Sequence, residues 1–365
     1  MKAPWWLYGQ DLVLARDMQH QTIEACGEGG QQLSNISILS YLGDYQGCAN
    51  WLDRVHGRAH TSGRQSEYRI RRYRRMHNPW NALLEPGHGE GIWATLMERI
   101  TQRQPIVVDL VGGIGDQLEN AALLLSIQSQ LPPEHQVSVR ALGENAPVVK
   151  ELLLQIPGLK VQGRDTPSQP WRITAPWFRY WLGRSGIAET IDGPLLVDQA
   201  TVDATGPVLV CWRSKPDPAN PLSSFSRSLP FSTILQLLEL WQGAAKRRGL
   251  RLVDISDYSP TEAQRIRQQH EWVHLARGRI RNLDDTRRLM REASAIATVD
   301  TSLGHLSVLC GRPVHLLLPL WPDERWYDLL EGGIYQKLVS SYQQQQFHCW
   351  REPLDTLSRR LQLIN

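Results

Sequence analysis

The sequence predicts an α/β protein: two parallel-sheet domains preceded by a small helical region. Three observations carry this prediction. From Pro105 onward, short apolar runs rich in β-branched residues alternate with segments of helical period. A glycine turn at Gly112-Gly113-Ile114-Gly115 and a polar break at Asp300-Thr301-Ser302 fall where such a run gives way to a helical pattern. Before about residue 100 that alternation is absent and the apolar spacing is helical throughout. Strands that alternate with helices are joined by right-handed crossovers and therefore lie parallel.

Taken in order, residues 1–100 read as the helical N-terminal region. Leu12–Cys26 has the pattern of a helix, and Leu33–Val55 that of a helical hairpin turning at Gly43-Asp44, with YLGDYQGCANWL similar to half of a tetratricopeptide repeat. Six arginines between Arg64 and Arg75, interleaved with Tyr68 and Tyr73, read first as a solvated helix face and otherwise as a grip for the phosphates of nucleic acid, lipid headgroups or an acidic acceptor, as in a peripheral membrane or protein contact. Pro79–Gly91 is rich in breakers and reads as a linker. The first α/β domain, 101–200, begins with strand Ile106–Val111, the glycine turn and helix Asp116–Leu131. Strand Val137–Leu142, helix Ala146–Gln155, strand Leu159–Gln162 and an aromatic segment at 171–183 follow. Polar Asp198–Gly206 marks the boundary.

The second domain, 205–345, opens with strand Pro207–Trp212 and a basic loop, RSKPDPANPLSSFSRSLP, too long for a mere connection. Helix Phe231–Arg248, strand Leu250–Ile255, helix Thr261–Gln269, strand Trp272–Leu275 and helix Leu283–Glu292 come next. Residues 295–319 form a complete βαβ unit, and 346–365 a C-terminal helix. Two such domains in succession are expected to face a cleft. At the start of the helix after Val299, unpaired N–H groups and the positive end of the helix dipole suit an anion, phosphate above all. Simple capping by Asp300, Thr301 and Ser302 is the competing reading.

Composition bounds the alternatives. With 41% hydrophobic residues among 365, the chain can bury a sizeable core. A net charge of +3 from 40 basic and 37 acidic side chains gives no general nucleic-acid signal. Five widely spaced cysteines without a C-x-x-C pair read as free thiols in a reducing cytoplasm, with no zinc site. The early apolar cluster Trp5–Tyr8 is too short for a signal peptide, and no run reaches the ~18 apolar residues a membrane span requires. A cytoplasmic location is expected, with any contact at the inner face of the membrane peripheral. Fourteen tryptophans, several in aromatic-basic stretches around 171–181 and 321–326, serve either as core or as platforms for sugar rings.

The segment from Val299 through LWPDERWYDLL carries Asp300, Thr301, His305, Gly311, Pro313, Val314, Pro319, Pro322, Asp323 and Trp326. Trp212 ends a strand with Arg227-Ser228-Leu229-Pro230 downstream, and GGIGD stands at 112–116. Together with the helical hairpin these stretches resemble glycosyltransferases of the GT-B architecture, which has two Rossmann-like domains. The likeness is to the heptosyltransferase-like (family 9-like) group, and within it to the domain that follows tetratricopeptide repeats in bacterial proteins. It covers roughly residues 105–345. One departure is Arg213-Ser214-Lys215, where that group usually has a small neutral turn.

The resemblance implies sugar transfer from a nucleotide-diphosphate donor to a glycan, lipid-linked or protein hydroxyl, with inversion and without metal. The nucleotide sugar is a co-substrate and no cofactor is expected. It implies an acceptor-side first domain and a nucleotide-sugar second domain. Asp116 maps onto the group's proposed catalytic base, against the reading of an acid that stabilises its own helix dipole; Glu119, one turn on, is its substitute. Gly113 and Gly115 shape the turn. Thr301, Ser302 and Gly304 would present N–H and hydroxyl groups to the diphosphate, with Asp300 orienting the loop or a sugar hydroxyl. His305 either bonds the donor or is a buried, satisfied histidine. Trp212, Arg213, Lys215 and Arg227 belong to the same strand-end face, the cations being available to neutralise the leaving group. No Asp-x-Asp pair suits a divalent metal, and Asp284-Asp285 read as a helix start. Two alternatives stand beside this: a non-catalytic scaffold of the same fold, and a fucosyltransferase-like enzyme, since GGIGDQL also resembles that group's glycine-rich start. Nucleic-acid binding ranks below both.

Overall fold

The computed structural model describes residues 12–25, 36, 38–39, 42, 44–56, 90–130, 137–162, 171–175, 191, 193–196, 205–215, 225–323, 325–346 and 348–363. The Arg64–Arg75 run, nearly all of the 79–91 linker, the aromatic residues 176–183 and the centre of the basic loop at 216–224 lie outside them, as does much of the 33–55 hairpin. The chain forms two compact units, Met1–Ile191 with Asp323–Asp328, and Asp192–Pro322 with Leu329–Asn365. Among the described residues no helix is long and apolar enough to cross a membrane.

The first unit begins with helices α1 (Leu12–Ala25), α2 (Tyr45–His56) and α3 (Glu90–Thr101). A hydrogen-bond chain ties α1 to α2. His20 Nε2 meets Asp44 Oδ2 at 2.7 Å, while Trp51 Nε1 donates to His20 Nδ1 at 2.8 Å. Nδ1 is thus an acceptor, and the ring proton belongs on Nε2. In the first turn of α2 the Gly47 N–H donates to Asp44 Oδ1 at 2.8 Å, and a Cβ on Gly47 would lie 2.3 Å from Asp44 Oδ2 and displace that side chain.

The sheet of this unit is parallel, in the order β2 (Val137–Ala141), β1 (Ile106–Leu110), β3 (Trp171–Thr174). Helix α4 (Ile114–Gln130) crosses from β1 to β2, and α5 (Ala146–Leu153) follows β2. Every residue of β1 is buried, Asp109 included. Asp109 stands opposite Arg140 in register and accepts two hydrogen bonds from its guanidinium, both 2.8 Å, so the buried charge is matched in fork geometry. Two elements differ from the sequence reading. The strand expected at 159–162 reduces to one bridge, Val161 to Val139. The third strand of the sheet is instead β3, inside the segment read as merely aromatic.

The second unit holds six parallel strands in the order β6 (Val273–Leu275), β5 (Leu252–Asp254), β4 (Val208–Cys211), β7 (Ala295–Val299), β8 (Val314–Leu318), β9 (Val339–Gln343). Helices α6 (Phe231–Arg248), α7 (Pro260–Gln269), α8 (Leu283–Glu292) and α9 (Ser302–Leu309) form the crossovers. The short α10 (Arg325–Leu329), all but its last residue part of the first unit, and α11 (Gly333–Leu338) precede β9 in the chain, and α12 (Arg351–Arg360) follows it. β9 has no strand signal in the sequence: VSSYQ is polar and largely exposed, and its pairing with β8 gives it strand form. Asp284 and Asp285 sit in the first turn of α8, where Asn282 caps the Asp285 N–H at 2.9 Å. The stretch before β4 also belongs here, since Leu195 and Leu196 both donate to the carbonyl of Leu309.

Trp241 lies at the centre of the second core. It is fully buried, meets Trp212 edge-on with centroids 5.9 Å apart, and donates from Nε1 to Ser358 Oγ at 2.8 Å. One indole thereby joins α6, the end of β4 and α12. Trp241→Ala is expected to cost about 3–5 kcal/mol, read as a lower urea midpoint by far-UV circular dichroism. Ser358→Ala, which orphans the indole N–H, is expected to cost about 1–2 kcal/mol.

Candidate functional site

In a parallel sheet every strand ends at the same edge. Where neighbouring strands send their connections in opposite directions, the loops diverge and leave a crevice. In the second unit that point lies between β4 and β7: β4, β5 and β6 run outward one way, β7, β8 and β9 the other. The residues singled out from the sequence, Trp212–Lys215 and Asp300–His305, follow these two strands.

After β7, Asp300 is buried and its Oδ2 lies 3.7 Å from Arg227 Nη1. Thr301 is the extended N-cap residue of α9; its Oγ1 meets Thr298 Oγ1 at 2.9 Å instead of capping the helix. Ser302 is half-exposed, whereas Gly304 and His305 are buried. His305 Nδ1 meets the Tyr335 hydroxyl at 2.9 Å, and burial pushes the imidazole down to about 4 despite nearby Asp300. The structure thus places His305 as a neutral histidine inside the domain.

After β4, the Trp212 ring is core and its backbone N–H donates to Ser256 Oγ at 2.7 Å. A short polar chain continues from there. Ser256 N–H and the Tyr258 hydroxyl donate to the two oxygens of fully buried Asp254, at 2.8 and 2.7 Å. Burial raises the Asp254 carboxyl, and burial with that neighbouring acid raises the Tyr258 phenol well above its usual range. Arg213 lies over the Tyr258 ring, 5.5 Å from its centroid, and pairs with Glu262 at 2.8 Å. Burial would raise Glu262, but Arg213 and the Ser259 N–H outweigh it and hold the carboxyl below its usual value. Arg213 is therefore tied to the loop after β5, while Arg227 is the cation beside Asp300. Lys215 is exposed.

A cavity of 560 Å³ opens at this edge, with Arg213, Ser214, Phe225, Ser228, Tyr258 and His348 on its walls. The Phe225 and His348 rings stack at 4.1 Å. His348 escaped the sequence reading because it follows β9, a strand with no clear signal of its own. Cys211, buried at the end of β4, is pushed up to about 12 by burial and then by Asp254, so its thiol stays protonated.

The first unit repeats the pattern at the end of β1, whose neighbours β2 and β3 lie on opposite sides. Gly112 has φ +99°, and a Cβ there would sit 2.6 Å from Asp116 Oδ2. The Gly113 N–H donates to that oxygen at 2.7 Å, and Gly115 lies in the first turn of α4. Gln117 Nε2 fixes the turn by donating to the carbonyls of Gly112 and Leu142. The other oxygen of Asp116 takes a hydrogen bond from Arg325 Nη1, which also lies 3.8 Å from Glu119; Arg325 Nη2 is 3.4 Å from Asp323. Arg325 lies in the PDERW stretch but went unnoticed there, since nothing in the sequence relates positions 209 residues apart. Among the described residues no group of three or more His, Cys, Asp or Glu could hold a metal ion.

No protein-family model and no curated protein matches the chain. Solved structures do. Escherichia coli heptosyltransferase WaaC with ADP is 12% identical with a TM-score of 0.47, over 71% of this chain and 100% of that one. A family 9 glycosyl transferase from Veillonella parvula is 11% identical with a TM-score of 0.45, over 72% and 90%. E. coli ADP-heptose lps heptosyltransferase II is 13% identical with a TM-score of 0.42, over 71% and 98%. The similarity lies in the α/β architecture of parallel sheets.

His305 makes a testable contribution to pH dependence. With its value depressed to about 4 from 6.5, the unfolded chain binds the proton more tightly across that window. Stability is full above pH 6.5 and falls as pH drops toward 4. Between pH 7 and 5 the loss from this group is about 2 kcal/mol. Urea unfolding at the two pH values measures it, and His305→Gln is expected to remove that part of the slope.

Proposed function

We propose that the chain is a GT-B glycosyltransferase that moves a sugar from a nucleotide-diphosphate donor to an acceptor hydroxyl. The observation that carries this reading is that each unit presents its sequence-singled loop at a topological switch point. Gly112–Asp116 follows β1, and Asp300–Ser302 follows β7. Such crevices hold nucleotides and phosphates in doubly wound sheets, and the residue pattern from Asp300 to Trp326 resembles the heptosyltransferase-like group.

In this reading the second unit holds the donor. Arg227 and the hydroxyl and N–H groups of Thr301 and Ser302 face the diphosphate, while Asp300 orients Arg227. His305 and Trp212 support the loop from within. Asp116 accepts the proton of the acceptor hydroxyl as its oxygen attacks the anomeric carbon, and the bond to the diphosphate breaks with inversion. The departing nucleoside diphosphate carries the extra negative charge, which Arg227 offsets without a metal. The acceptor is a glycan, lipid-linked or protein hydroxyl.

A second reading, a non-catalytic scaffold of the same fold, draws on one observation: both oxygens of Asp116 are engaged, by Gly113 N–H and by Arg325. Purified protein settles the choice. Thermal shift against nucleoside diphosphates and turnover across a panel of nucleotide sugars are the measurements. The enzyme reading expects a raised melting temperature with one diphosphate and transfer or hydrolysis of its sugar. Asp116→Asn is expected to keep the thermal shift and lose ~100-fold or more in kcat. Arg227→Ala is expected to weaken diphosphate binding by roughly 10-fold or more. No shift and no turnover with any donor would overturn the enzyme reading.

A further inference from the structure

We infer that Arg325 is a positioning residue for Asp116, an inference that rests on the reading of Asp116 as the base. The guanidinium is nearly buried, with a side chain 10% exposed, whereas that of Asp116 is 38% exposed and so open to an acceptor. A carboxylate on a helix's first turn has two free torsions. Here the Gly113 N–H takes Oδ2 and Arg325 takes Oδ1, which removes both freedoms before any substrate arrives. Each oxygen keeps a further lone pair, so the anchored group can still accept a proton.

The charges around Asp116 are unequal. Three carboxylates, Asp116, Glu119 and Asp323, converge on the one guanidinium of Arg325, with Glu119 from the same helix and Asp323 from the segment that carries Arg325. Asp323 also takes the Arg325 backbone N–H at 3.2 Å, which orients the start of α10. Buried Glu119 competes with Asp116 for the cation. Arg325 favours the ionised form of Asp116 and Glu119 opposes it, so the pair tunes the base in opposite senses.

The test is the pH profile of kcat/KM with the best donor. Arg325→Gln is expected to move the acid limb to higher pH by about one unit or more and to lower kcat/KM by roughly 10–100-fold. Arg325→Lys restores the limb while recovering only part of the rate, because an ammonium keeps the charge and loses the planar fork. Glu119→Gln moves the limb to lower pH. Shifts of opposite sign are not produced by loosened packing. Carboxyl carbon NMR of aspartate-labelled protein, assigned with Asp116→Asn, follows the same titration without turnover. If Arg325→Gln does not fold, Arg325→Lys and Glu119→Gln carry the test. An acid limb and an NMR midpoint unmoved by these substitutions would overturn the inference. Full turnover by Asp116→Asn would instead overturn the reading of Asp116 as the base, a distinct result.

Discussion

Because β4 connects through α6 to β5 on one side and its neighbour β7 connects through α9 to β8 on the other, the connections leaving the C-terminal ends of these two parallel strands diverge. That constraint determines where polar chemistry can gather. The central strands β4, β5 and β7 are apolar over most of their length, and the chain turns away from the sheet beyond Cys211, Asp254 and Val299. The first unit meets the same constraint with fewer strands, and its glycine turn occupies the equivalent position after β1.

Each buried acid near these ends is accommodated differently, and the differences follow from its neighbours. Asp109 meets a guanidinium squarely across the ladder, and Asp300 meets one at longer range. Asp254 is held by a backbone N–H and a phenol, with Arg213 near but bonded elsewhere, and burial raises it. A carboxylate without an adjacent cation gives up charge more readily than one with a matched partner. The Asp254 network is therefore framework for the β4 and β5 loops, whereas Asp109 and Asp300 each face a guanidinium.

Much of this was legible in the sequence because it is local. Ile106–Leu110, Ala295–Val299 and Val314–Leu318 are apolar and β-branched, and Gly112 and Asp300 punctuate them with residues whose backbone or polar character requires a break. Trp171–Thr174 and Val339–Gln343 were missed since each becomes a strand by pairing with a remote partner, not by its own alternation. The same distinction divides the site. Asp116 and Thr301 are found from their positions beside turns, while Arg325, His348 and the diversion of Arg213 to Glu262 depend on approaches between distant parts of the chain.

The cysteines carry a practical consequence. Cys48, Cys211 and Cys310 are buried, Cys211 with a thiol that stays protonated at neutral pH; among the described cysteines only Cys349 is exposed. Thiolate, not thiol, reacts with alkylating reagents, so among these four a maleimide dye will discriminate by accessibility in favour of Cys349. That residue adjoins His348 on the cavity wall. A fluorophore attached there sits one residue from His348, which stacks on Phe225, so its emission can be tested as a report on occupancy of the cavity.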